Sequence, residues 1–150
     1  MNVARTLLAA GLLLGLLGCD TGPKSAKGFT LPEGDAERGQ AAFVHFRCYD
    51  CHSVPGVDTP VSEEPDQVVV RLGGKVTRVK SYGELVTSII NPSHRLATGY
   101  AANLVATREG QSRMTNYNDV MTVSQLIDLV AFLQAHFELE PYQYTDYPIY

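Results

Sequence analysis

Basic residues are scarce in this chain. Twelve lysines and arginines stand against sixteen aspartates and glutamates, a net charge of −4 over 150 residues. A nucleic-acid binder needs a cationic footprint to neutralise phosphates, so that class is excluded. Beyond the first twenty residues there is no long apolar run. A spanning helix needs about 20 such residues, so no second membrane span is expected. Cysteine is limited to three, too few for a disulfide scaffold and odd in number, so each must be explained separately. No internal repeat is visible. What is present, with 45% hydrophobic residues, is the material of one globular domain.

The N-terminus has a basic start at Arg5 and then an apolar run from Leu7 to Gly18, the layout of a secretory signal. Leu16-Leu17-Gly18-Cys19 resembles a bacterial lipobox. The resemblance implies cleavage before Cys19, a lipidated Cys19 as the mature N-terminus, and anchoring to a membrane from the periplasmic side, with more than one acyl chain for stable attachment. Residues 19–34 are rich in glycine, proline, lysine and serine without periodicity, and are expected to be a tether.

The other two cysteines form Cys48-Tyr49-Asp50-Cys51-His52. Two thiols at this spacing can reach the two vinyl groups of one porphyrin as thioethers, with the adjacent imidazole under the iron. Three other uses of the same residues are weaker. A structural zinc site needs further ligands, and no additional cysteine is available for one. A redox dithiol expects a βαβ surround that the flanks do not show. A disulfide between Cys48 and Cys51 would close a strained ring and leave His52 without a role.

From about Gly34 to Phe137 the chain resembles the monohaem cytochrome c family, in its lipoprotein form. Gly34-Asp35-Ala36-Glu37-Arg38-Gly39-Gln40-Ala41-Ala42-Phe43 looks like the family's first helix, with Gly39 and Phe43 placed to pack on the last. Ser112-Arg113-Met114-Thr115-Asn116-Tyr117 looks like its distal-methionine loop, although many members have proline where Thr115 stands. The resemblance implies an all-α fold around one covalent haem c, held by Cys48 and Cys51 and ligated axially by His52 and Met114. It also implies an electron carrier and not an enzyme. The expected organisation is a lipoprotein signal peptide at 1–18, a lipidated tether at 19–34, a cytochrome c domain at 35–140 and a tyrosine- and proline-rich tail at 141–150.

Local patterns are compatible with that layout. Asp35 is a good N-cap for a helix from Ala36 to about Arg47, with Gly39, Phe43 and Phe46 along one face. Gly39 costs about 1 kcal/mol against alanine inside a helix, which a close helix crossing would explain. Thr122-Val123-Ser124-Gln125 is a capping box ahead of an apolar helix carrying Val123, Leu126, Ile127, Val130, Leu133 and Phe137. Ser81-Tyr82-Gly83-Glu84 is another, ahead of Leu85, Val86, Ile89 and Ile90, and Asn91-Pro92 stops that helix. Residues 68–70 and 76–79 flank Leu72-Gly73-Gly74 and suggest a small hairpin or paired extended segments.

Only Met114 and Met121 follow the leader. Met114 lies in a polar loop suited to presenting a thioether to iron. Met121 precedes the Thr122 cap, where an apolar residue often acts as a staple. His94 is a lesser candidate, His45 a surface or haem-edge residue, and His136 a helix-end residue suited to the dipole. A vacant or labile sixth site would instead mark a haem enzyme or gas-binding protein, and a tight complex would mark a haem relay subunit.

Charge is segregated. Residues 71–113 carry seven basic and two acidic side chains, net +5, whereas 19–70 and 114–150 each sum to −5. Arg71, Lys75, Arg78 and Lys80 are expected near haem propionates, forming part of a positive rim that steers docking of acidic redox partner proteins. The tail, with four tyrosines and two prolines in its last ten residues, is expected to be an extended strap.

Overall fold

The computed structural model describes residues 29–63 and 68–141. Cys19, the leader and nearly all of the tyrosine-rich tail lie outside these residues. The chain divides into a unit of residues Met1–Leu31, described only from Phe29, and a folded unit of residues Pro32–Tyr150.

The described residues of the folded unit hold four α-helices: α1 (Ala36–His45), α2 (Tyr82–Ile90), α3 (Ala102–Val105) and α4 (Val123–Ala135). Each long helix starts on a side-chain cap. Asp35 accepts from the Arg38 amide, while Ser81 with Glu84 and Thr122 with Gln125 form complete capping boxes. Asn91 and Pro92 end α2, and a single 3-10 turn (Pro92–His94) follows.

The core lies where α1 crosses α4, with α2 packed on α4 from another side. Phe43, Val130 and Phe132 are the largest fully buried side chains, and the Phe43 and Phe132 rings meet at 5.6 Å. The crossing is close because Gly39 has no side chain. A Cβ there would overlap the Asp128 carbonyl oxygen and lie 2.6 Å from Phe132 Cβ. Asp128 is buried yet satisfied. Arg38 Nε donates to its Oδ2 at 2.8 Å, Arg38 Nη2 to its Oδ1 at 3.1 Å, and the Asp35 amide to Oδ1 at 2.8 Å. The paired guanidinium contacts hold the Asp128 carboxyl below its ordinary pKa.

The framework is helical, but the fold is not purely α. Two short parallel ladders accompany the helices: β1 (His52–Ser53) with β2 (Val70–Arg71), and β3 (Gly74–Val76) with β4 (Phe137–Leu139). The expected hairpin around Leu72-Gly73-Gly74 is therefore not formed. Its two arms pair with different strands, because Gly73 and Gly74 both take positive φ, 82° and 77°, and step the chain sideways. At Gly73 a Cβ would lie 2.6 Å from the His136 carbonyl oxygen, so the step runs directly over the end of α4. Three side chains expected inside face outward or leave their helix. Ile90 and Val123 are exposed, and Phe137 starts β4 instead of extending α4.

Candidate functional site

Past α1 the backbone reverses at Arg47, which adopts the left-handed region at φ 53°. That conformation costs a non-glycine residue about 1 kcal/mol or more. Arg47 Nε donates to Asp50 Oδ2 at 2.8 Å and Nη2 to Glu63 at 3.4 Å, which fastens the reversal from outside. The reversal is followed by a 3-10 turn, Cys48–Asp50, closed by the Cys51 amide donating to the Cys48 carbonyl at 3.2 Å. Both cysteines thus sit on one turn as half-buried thiols that are not joined to each other. Burial, then the neighbouring Cys51, push the Cys48 thiol up to about 11. A redox dithiol relies on the opposite shift.

His52 begins β1. The ladder is pinned by the Val70 amide donating to the Cys51 carbonyl and the Leu72 amide to the Ser53 carbonyl, each at 2.8 Å. His52 Nδ1 lies 3.2 Å from the Val70 carbonyl oxygen. With its proton on Nδ1 for that bond, the ring keeps a lone pair on Nε2. Burial lowers the His52 pKa, partly opposed by the Val70 carbonyl, and so favours the neutral, ligating form.

Met114 is brought in by a loop fastened at several points. Ser112 pairs with Ala106 in an isolated antiparallel bridge, and its amide donates to Ser93 Oγ at 3.0 Å. Ser112 Oγ in turn accepts from the Met114 amide at 3.1 Å. Further on, Tyr117 Oη donates to the Phe46 carbonyl at 2.9 Å with the two rings 5.3 Å apart, and Asn118 Nδ2 donates to the Ile90 carbonyl at 2.8 Å. Burial raises the Tyr117 phenol above its ordinary pKa, with a Thr115 hydrogen bond acting in the other direction.

Cys51, His52 and Met114 line one cavity of about 910 Å³. Cofactor and ligand sites of this kind span about 300–1,000 Å³. Its apolar wall includes Val70, Leu72, Pro92, Leu96 and Val105, and its cationic residues are Lys80, Arg95 and Arg113. Of the four cations expected near haem propionates, Lys80 lines it and Arg71, Lys75 and Arg78 do not. Arg78 is turned to Glu84, and the Arg71 guanidinium lies over Gly74. Met121 is half-buried outside the cavity wall. His94 is exposed with Nδ1 2.7 Å from the Asn91 carbonyl oxygen, and His136 caps α4 with Nδ1 2.8 Å from the Phe132 carbonyl oxygen.

Cys48 is not among the cavity-lining residues, although it shares the turn with Cys51. Among the described residues no group of three or more His, Cys, Asp and Glu side chains converges as a site for a bare ion. A haem asks for less, because its macrocycle supplies the equatorial nitrogens and leaves only axial positions to the protein. Thiols on one turn, an imidazole with its remote nitrogen fixed by a carbonyl, a thioether, apolar walls and cations for carboxylates are a donor set that fits that group. Sequence reasoning missed Arg95 and Arg113 as cavity residues and Tyr117 as a cross-link. The spacing of the basic residues along the chain carries no signal of which ones the α2 stop and the Met114 loop fold inward. No family model, curated protein or solved structure matches the chain.

Proposed function

We propose that this chain is a monohaem c-type cytochrome that carries single electrons between protein partners outside the cytoplasm, anchored to a membrane through lipid on Cys19. The observation that supports it most is a single one: His52 and Met114 line the same cavity, with Cys51 on its wall and Cys48 on the same turn as Cys51. When bound, the haem supplies a one-electron couple whose iron changes charge without changing ligands. Cys48 and Cys51 would fix it to the chain, and the Val70 carbonyl beside Nδ1 would keep the His52 ring in the tautomer able to ligate. The Met114 thioether, on the same cavity, would be the second protein ligand, and a thioether ligand would favour the ferrous state. Lys80, Arg95 and Arg113 on the cavity wall would be the residues available to its carboxylates. Anchoring and export rest on residues 1–19 of the sequence alone.

Protein from cells competent in haem maturation is expected to be coloured and to keep its pigment in acidified organic solvent. Met114→Ala should abolish the ferric sulfur-to-iron absorption band, and Met121→Ala should preserve it. A colourless product, or pigment that extracts, would overturn the reading. A band that survives Met114→Ala would overturn the axial assignment.

A further inference from the structure

The segments that carry His52 and Met114 come from far apart in the chain, and a side-chain hydrogen bond links them. Tyr117, three residues after Met114, donates to the carbonyl of Phe46, two residues before Cys48, across 71 positions of sequence. The other fasteners of the Met114 loop do something different. Ser112 and Asn118 both attach it to the end of α2, through Ser93 and Ile90. Among the described residues, Tyr117 is the side chain whose hydrogen bond reaches the end of α1.

We propose that Tyr117 is a positioning residue for the sixth ligand: its hydroxyl holds the Met114 segment in register with the residues that bear Cys48, Cys51 and His52. The inference rests on the haem reading above. Its physical basis is competition. The Tyr117–Phe46 bond favours the arrangement in which the Met114 segment stays against the end of α1, and so weights that arrangement against an outside ligand.

The test uses the full-length ferric holoprotein, with imidazole as the competing ligand. Tyr117→Phe keeps the ring on Phe46 and removes only the hydroxyl. It is expected to bind imidazole about fivefold more tightly than the unmutated protein, the factor that one hydrogen bond of ordinary net strength supplies. Asp35→Ala loosens the opposite end of α1 and should leave imidazole affinity unaltered. Equal affinity in Tyr117→Phe and the unmutated protein, with the sulfur-to-iron band present in both, overturns this inference and leaves the haem reading standing. An equal rise in Tyr117→Phe and Asp35→Ala also overturns it, as general loosening. Absence of the band from the unmutated protein overturns the Met114 assignment and this inference together.

Discussion

Glu84 carries several attachments at once. Its carboxylate accepts from both terminal nitrogens of Arg78 and from the Ser81 amide at 2.9 Å, and Arg95 stands 3.6 Å away. The Arg78 hydrogen bonds first, then that amide, draw its pKa down from 4.5 to about 2. A carboxyl lowered by folding stabilises the native state above its unfolded pKa and loses that contribution as pH falls through the folded one. The Glu84 contribution is thus complete above pH 4.5 and disappears toward pH 2. Urea denaturation of the unmutated protein and Glu84→Gln should therefore show a stability gap at neutral pH that closes across that window. A gap independent of pH would assign the effect to lost packing. Asp128 teaches a related point about single residues. Inside an apolar helix it reads as a break in the pattern, and its meaning appears only when Arg38, ninety positions earlier, arrives beside it.

At the level of elements, α1 and α4 approach closely at Gly39, and glycine substitutions separate the cost of that approach from simple helix propensity. Gly39→Ala gains propensity but drives a methyl into the Asp128 carbonyl, and overpacking of this kind costs about 3 kcal/mol. Gly83→Ala in α2 meets nothing within 4 Å and should raise stability by about 0.5 kcal/mol. Thermal or urea unfolding of the two variants checks both signs. The three long helices were legible in the sequence because their caps and apolar periodicity are local. The ladders were not. Each is two or three residues long, pairs in parallel with a distant strand, and has no alternation to display. Residues 48–52 and Met114 stand out in the sequence by residue type and spacing, and the fold places Cys51, His52 and Met114 on one cavity. Tyr117 and Val70 do not stand out, since a hydroxyl and a carbonyl acquire a role only from what lies opposite.

Over the whole molecule, the basic middle of the sequence is flanked by acidic stretches. Folding selects which of its cations reach the cavity: Lys80, Arg95 and Arg113. If these steer an acidic redox partner, Lys80→Glu with Arg113→Glu should flatten the dependence of electron-transfer rate on ionic strength. Lys75→Glu, away from the cavity, should change it less. A slope unaffected by the double reversal would remove the steering role while leaving the haem assignment intact.

The ionic clasp at the start of α1 has a mechanical meaning as well. A pull on the chain ahead of α1 is met first at Gly34, seated against the Ile127 carbonyl, and then at Asp35, whose amide is moored to Asp128 and whose carboxylate grips Arg38. Load therefore spreads into the α1–α4 crossing, at the end of α1 remote from Arg47 and the turn that follows it. The start of α1 and the Cys48–His52 turn beyond its end are held by different struts, Asp128 at one and Asp50 at the other, so strain on the first need not disturb the second.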